Sequence, residues 1–457
     1  MKTRKSYLSE SEGSELAIRI RNRNKKILNF SELNKRKTLD CEFISKGLNK
    51  NFPQLLRNGT IGEFFSVFKN CKDLKDLHFL VKSLRKMLCF CSIQYVQFID
   101  QDVLKILINH LDSPKMAENV LWCFINLTVF DCKPLVGLGI IEKLVKFSVK
   151  CSDDKILDLI IWALSNIAGD CVDFRDLVIK AKGTKAFFSG LFKKLCKKNS
   201  IWGISNLCKG KPAPEYQLIS KILKKIENFF GNEDTECMVS ICEIIFACTG
   251  HDDFVFTGQF WVLKILNLTE DSNLGFISLK ILSNLSMKSN NIESYLIQND
   301  IFCKTIRFFK GNNIMEQKEA LLLVNNLCAG GKQCIEAFIK HKVFKLSLRF
   351  LNSENFELKN GAISVIGNIS SNVHGQILFV NSEYFAEFLK TFKIMNPDFV
   401  VSALSAMHQL MSNPRVREEF IRLDGKCLIE GLKDHPNKII PLMAAEFLEF
   451  HFNHNFS

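Results

Sequence analysis

The chain has 457 residues, 47% hydrophobic and 24% charged, with 9 Pro and 23 Gly, a balance that excludes a disordered or collagen-like protein and leaves few breaks for a strand-and-turn architecture. Seventeen Cys without a C-x-x-C pair, no hydrophobic leader in MKTRKSYLSE and no uninterrupted apolar run of about 18 residues argue against a disulfide framework, secretion and membrane spanning. The net charge of +13 is uneven: residues 1–50 hold 13 Lys/Arg against 6 Asp/Glu, a net of +7, leaving +6 for the other 407 residues. This is a basic arm on a nearly balanced body, which counts against a nucleic-acid-binding surface spread along the chain.

In chain order, the first element is the basic stretch 18–38, IRIRNRNKKILNFSELNKRKT, expected to be helical, with Arg19, Arg21, Arg23, Lys25, Lys26 and the cluster Lys35, Arg36, Lys37. The body, 51–457, repeats. LWCFINLTVF around Trp122, IWALSNIAGD around Trp162 and IWGISNLCKG around Trp202 share W-x-x-x-N, with tryptophans 40 residues apart. A further 40 residues give CEIIFACTG, with Cys242 and Phe246 at the two positions. Asn284, Asn326 and Asn368 then follow in ILSNLSMKS, LLLVNNLCAGG and SVIGNISSN, 42 residues apart, and weaker echoes lie near Gln409 and residue 441. Between them, IIEKLVKFSV and CIEAFIKHKVFKLSLRFL show helical spacing. About nine or ten repeats of two long helices and a short first one imply an all-α armadillo-type right-handed superhelical solenoid, because a single repeat cannot bury its own apolar face. Cys123, Cys208, Cys242 and Cys328 fall in apolar helical stretches and read as reduced, buried small hydrophobes; no zinc site is expected at Cys89 and Cys91.

Residues i and i+4 share a helix face, so stacked W-x-x-x-N segments align indoles and amides into a ladder. Asn amides offer donors and acceptors to an extended peptide backbone. Indole faces form slots for lysine stems, each worth about 0.5–2 kcal/mol as a cation–π contact. Packing alone explains one such pair readily and three in phase poorly.

These residues resemble importin-α. Trp162-Ala-Leu-Ser-Asn166-Ile-Ala-Gly-Asp170 is similar to that family's third-repeat signature, and Ser205-Asn206-Leu-Cys-Lys-Gly to its fourth. The resemblance implies a major site for nuclear localisation signals at Trp122, Asn126, Trp162, Asn166, Trp202 and Asn206, with Asp170 selecting an anchoring lysine by a charge-assisted contact. Asp158, four residues before Trp162, is expected to add negative potential. After Asn126 the family's Gly and Thr are replaced by Leu-Thr-Val-Phe130, which reshapes the lysine pocket. The minor site maps onto Lys280, Asn284, Glu319, Asn326 and Asn368, but its tryptophans have become Leu322 and Ser364 and its second glutamate Gly361, so amides remain where slots are lost. The arm, 1–50, is similar to an importin-β-binding segment, with Lys35–Lys37 as an internal mimic of a signal. Basic cargo signals and importin-β are the implied partners, with an export receptor left open; no membrane or direct nucleic-acid partner, no cofactor and no metal are expected. The implied location is shuttling between cytoplasm and nucleus.

No enzyme is expected and no catalytic residue stands out: Gly330–Lys332 lacks the upstream glycine of a phosphate loop, and His251-Asp252-Asp253 has no nucleophile beside it. An armadillo scaffold for other protein partners is the alternative.

Overall fold

The computed structural model describes residues 61–90, 99–231, 233–254, 259–288, 290–394 and 396–453. The arm, with Arg19 to Lys37, lies outside them. Among the described residues every regular element is a helix. They form two compact units, one running to His251 and the other from Asp252.

Each unit is built on a series of five helices that pack side by side, each against the next. In the first these are α1 (Leu74–Phe90), α2 (Ala117–Thr128), α3 (Asp154–Ala168), α4 (Lys197–Cys208) and α5 (Thr235–Thr249). In the second they are α6 (Gly275–Ser286), α7 (Ile314–Ala329), α8 (Phe356–Ile369), α9 (Pro397–Leu410) and α10 (Ile439–Leu448). The 40-residue period is thus one stacking helix per repeat, and these repeats have the armadillo fold.

Helix α3 shows why the sequence does this. The Asp153 carboxylate accepts from the Lys155 and Ile156 N–H groups and caps the start, and the helix stops at Gly169. Leu157, Ile160, Ile161, Leu164 and Ile167 are buried, because the helix is flanked by α2, α4 and the shorter helices behind it. Each such side chain contributes about 1.5–3 kcal/mol. From Leu157 to Ala168 only Asp158, Trp162 and Asn166 escape full burial. They are spaced i, i+4, i+8, so one narrow polar-aromatic stripe remains.

The shorter helices depart in part from expectation. Lys133–Gly137, with 5 residues, is the short first helix of its repeat before Ile140–Lys150. One repeat later the order inverts, with Val172–Lys180 longer than Thr184–Gly190. The latter ends where Gly190 lies so close to its neighbours that a Cβ would sit 2.2 Å from Ser200 Oγ. Elsewhere the second helix continues as a 3-10 turn, as at Glu227–Phe229 and Arg349–Asn352. Cys123, Cys208, Cys242 and Cys328 are buried, and burial pushes the Cys208 thiol up to about 12. Cys171, Cys303 and Cys427 are exposed, outside that pattern.

Candidate peptide-binding face

The Trp/Asn positions come together on adjacent helices, and four of the asparagines, Asn166, Asn206, Asn326 and Asn368, are fixed by the helix before them. Asn166 Nδ2 donates to the Ile125 carbonyl at 3.3 Å and to Thr128 Oγ1 at 2.9 Å. Asn206 Nδ2 donates to the Ser165 carbonyl at 3.0 Å. The same contact recurs in the second unit, from Asn326 to the Ser283 carbonyl at 3.2 Å and from Asn368 to the Asn325 carbonyl at 3.1 Å. In all four the acceptor is the carbonyl one residue before the preceding repeat's asparagine. An N–H of each of these four amides therefore staples its repeat to the one before. Gly169 makes room for this: a Cβ there would meet Asn206 Nδ2 at 2.7 Å. Asn126, at the head of the ladder, is buried on α2.

Trp122, Trp162 and Trp202 are all half-buried on the same stripe of α2, α3 and α4. The rings of Trp122 and Trp162 touch edge to face, with centroids 5.5 Å apart and planes at 67°. A lysine stem between two rings needs roughly 7–8 Å, two carbon contacts of 3.5–4.0 Å, so this interval is closed. Trp122 also carries a cation: the Arg85 guanidinium carbon lies 5.5 Å from its ring centroid, and Arg85 Nη1 donates to Asn119 Oδ1 at 3.0 Å.

Negative charge lines the stripe. Asp158 is half-buried and accepts from Asn199 Nδ2 at 2.8 Å; desolvation raises its pKa above the ordinary aspartate value, against the lowering effect of the Asn199 bond. Asp170 is half-buried in the turn that follows Gly169. Beyond Asn206, Glu243 on α5 accepts from Ser205 Oγ and from Lys209 Nζ, both at 2.8 Å, and Lys209 lies 3.4 Å from Asn206 Oδ1. Asp158 and Asp170 thus stand at the middle of the stripe, with the cations Arg85 and Lys209 toward its two ends.

No family model matches the chain. A stretch of 137 residues is 28% identical to importin subunit alpha-1b of Oryza sativa subsp. japonica, covering 29% of this chain and 26% of that protein. Another of 129 residues is 26% identical to importin subunit alpha-8 of Arabidopsis thaliana, covering 28% and 29%. A longer one of 258 residues is 24% identical to the rice importin subunit alpha-1a, covering 54% and 47%. The chain thus spans little more than a quarter of the length of the first two relatives and about half of the third. Among solved structures, an engineered protein from a structural genomics consortium superposes with a TM-score of 0.73 at 15% identity, over 85% of this chain and 98% of its own. A structure from work on a phosphorylation switch between cadherin and β-catenin gives 0.67 at 14%, over 88% and 85%. The chain is similar to importin-α proteins over part of its length and has the armadillo fold.

In the second unit of this importin-α-like chain the stripe is weaker. Asn326 is buried and Asn368 half-buried, both stapled as above, and Asn284 is half-buried on α6. Lys280 is half-buried with its ammonium 5.1 Å from the Phe276 ring centroid, and Glu319 is half-buried on α7. Leu322 and Ser364, at the tryptophan positions, are half-buried and offer no indole face.

Three features escaped the sequence reading. Arg175 is 2% exposed, with Nη1 donating to the Lys209 carbonyl at 2.6 Å, Nη2 to the Pro212 carbonyl at 2.9 Å and Nε to Asp176 at 2.8 Å. It holds the loop after Asn206, but in sequence it is one arginine among charges. Arg85 and Glu243 act across repeats, and only the 40-residue period, read outside the Trp and Asn columns, could have pointed to them.

Proposed function

We propose that this protein is a nuclear import adaptor that binds lysine-rich localisation signals along α2–α4 and couples them to importin-β through its basic arm. The observation that carries the reading is the stripe Asp158, Trp162, Asn166 on α3, flanked one repeat away by Trp122 and Asn126 and by Trp202 and Asn206. An extended peptide laid across the stripe hydrogen-bonds through its backbone to the asparagine amides. Lysine stems pack on indole, and their ammonium groups reach toward Asp158 and Asp170. The importin-α likeness supports this use of the stripe. The arm, residues 15–40, competes for the same face in cis, at an effective concentration on the order of millimolar for a short flexible tether. Cargo release follows its return. Residence in both cytoplasm and nucleus goes with this role.

The test is retention of the full-length protein on immobilised importin-β, together with binding of a lysine-rich peptide in solution. Loss of importin-β binding on neutralising Arg19, Arg21, Arg23, Lys25 and Lys26 supports the adaptor. Peptide binding with no importin-β binding in the native chain favours an armadillo scaffold, a reading that the indole-free stripe of the second unit also accommodates.

A further inference from the structure

We propose that Arg85 is a resident cation that closes the first indole slot, restricting the groove to basic segments whose lysine enters between Trp162 and Trp202. The inference rests on the peptide-binding reading above and deepens it.

Two independent contacts close the slot. On one side the Arg85 guanidinium covers Trp122 at 5.5 Å; on the other Trp162 meets Trp122 edge to face, also at 5.5 Å. The guanidinium is held in place: Nη1 bonds Asn119 Oδ1 at 3.0 Å and lies 3.9 Å from the Glu118 carboxylate, while Asn119 Nδ2 is 3.4 Å from His78 Nε2. Asn119 is itself nearly buried and the Arg85 side chain only 26% exposed, so the cation is packed into the face rather than lying over it. A planar guanidinium stacks on an aromatic face better than an ammonium does and is less strongly hydrated, so an incoming lysine does not displace it. Its positive charge also repels a second lysine arriving beside Trp122. Among the described residues no ring contact joins Trp162 to Trp202, and no cation lies over Trp202. Specificity is therefore narrowed from a run of slotted lysines to one, anchored by Asp158 and Asp170.

The experiment is fluorescence anisotropy with a labelled five-lysine peptide and the full-length chain, comparing wild type, Trp122→Ala, Trp202→Ala, Arg85→Gln and the double variant Arg85→Gln/Trp122→Ala. Far-UV circular dichroism checks each fold. Trp202→Ala should weaken binding about tenfold and Trp122→Ala clearly less; Arg85→Gln should tighten binding about threefold or more, a gain that the double variant Arg85→Gln/Trp122→Ala loses. Equal losses from Trp122→Ala and Trp202→Ala in the wild-type background would overturn the role of Arg85 and leave the groove standing. Absence of binding by every variant would remove the groove and this proposal with it.

Discussion

Asn206 on α4 donates its amide to the Ser165 carbonyl of α3, 3.0 Å away, and both residues are buried. The amide that the family likeness assigns to peptide recognition is thus also a joint between repeats. Asn206→Ala should remove this bond while the Ser165 carbonyl keeps the Gly169 N–H at 3.0 Å, and cost about 0.5–1.5 kcal/mol of stability, in addition to any loss of binding. Urea denaturation of the variant without peptide measures the structural part. A midpoint equal to wild type would show that the joint carries no weight.

Gly169→Ala tests the same joint from the other side. Its Cβ would meet Asn206 Nδ2 at 2.7 Å, so the amide must move although no ligand-facing atom has been changed. Weaker binding of a lysine-rich peptide is expected, with a stability loss on the order of 1–3 kcal/mol typical of overpacking. Unaltered affinity would mean that the amide need not be held in place.

Asp158 should separate stability from function. Burial raises its folded pKa above the unfolded value, so the folded state prefers the protonated form and this group's contribution falls as pH rises through that range. At neutral pH, Asp158→Asn should therefore keep or raise the denaturation midpoint and weaken binding of a lysine-rich peptide. A variant that loses stability instead would indicate that the Asn199 bond outweighs desolvation.

The second unit carries a pH dependence of opposite sign. His451 lies 3.0 Å from His408, with Arg417 nearby, and its pKa is lowered from 6.5 to about 4, first by burial and then by those two groups. The folded state holds it neutral, so its contribution is fully present above pH 6.5 and lost as pH falls toward 4. Midpoints measured from pH 7 to pH 4.5 should fall in wild type and fall less in His451→Phe. Parallel profiles would exclude this pair as the cause.

The period of 40 residues made the helical repeats legible, because every repeat must present the same buried faces to its neighbours, and W-x-x-x-N located the stripe by helix geometry alone. What could not be read was which way the amides point and how far apart the rings sit. Asn166 and Asn206 turn an N–H toward the preceding helix, where the Ile125 and Ser165 carbonyls accept it. Trp122 meets Trp162 edge to face with the Arg85 guanidinium 5.5 Å from its ring, and Arg85 and its partner Asn119 stand on columns without any motif. Arg175 was invisible for a related reason: its partners are carbonyls of a loop 34 and 37 residues away, and backbone acceptors leave no mark in a sequence.

The most direct measurement is the affinity of the full-length protein for a fluorescent lysine-rich signal peptide beside that of Trp162→Ala/Trp202→Ala. Micromolar or tighter binding by wild type, about 8 kcal/mol or more, that collapses in the double variant is the expected result. Equal affinity in the two proteins, or none in either, would contradict a signal-binding groove on α2–α4.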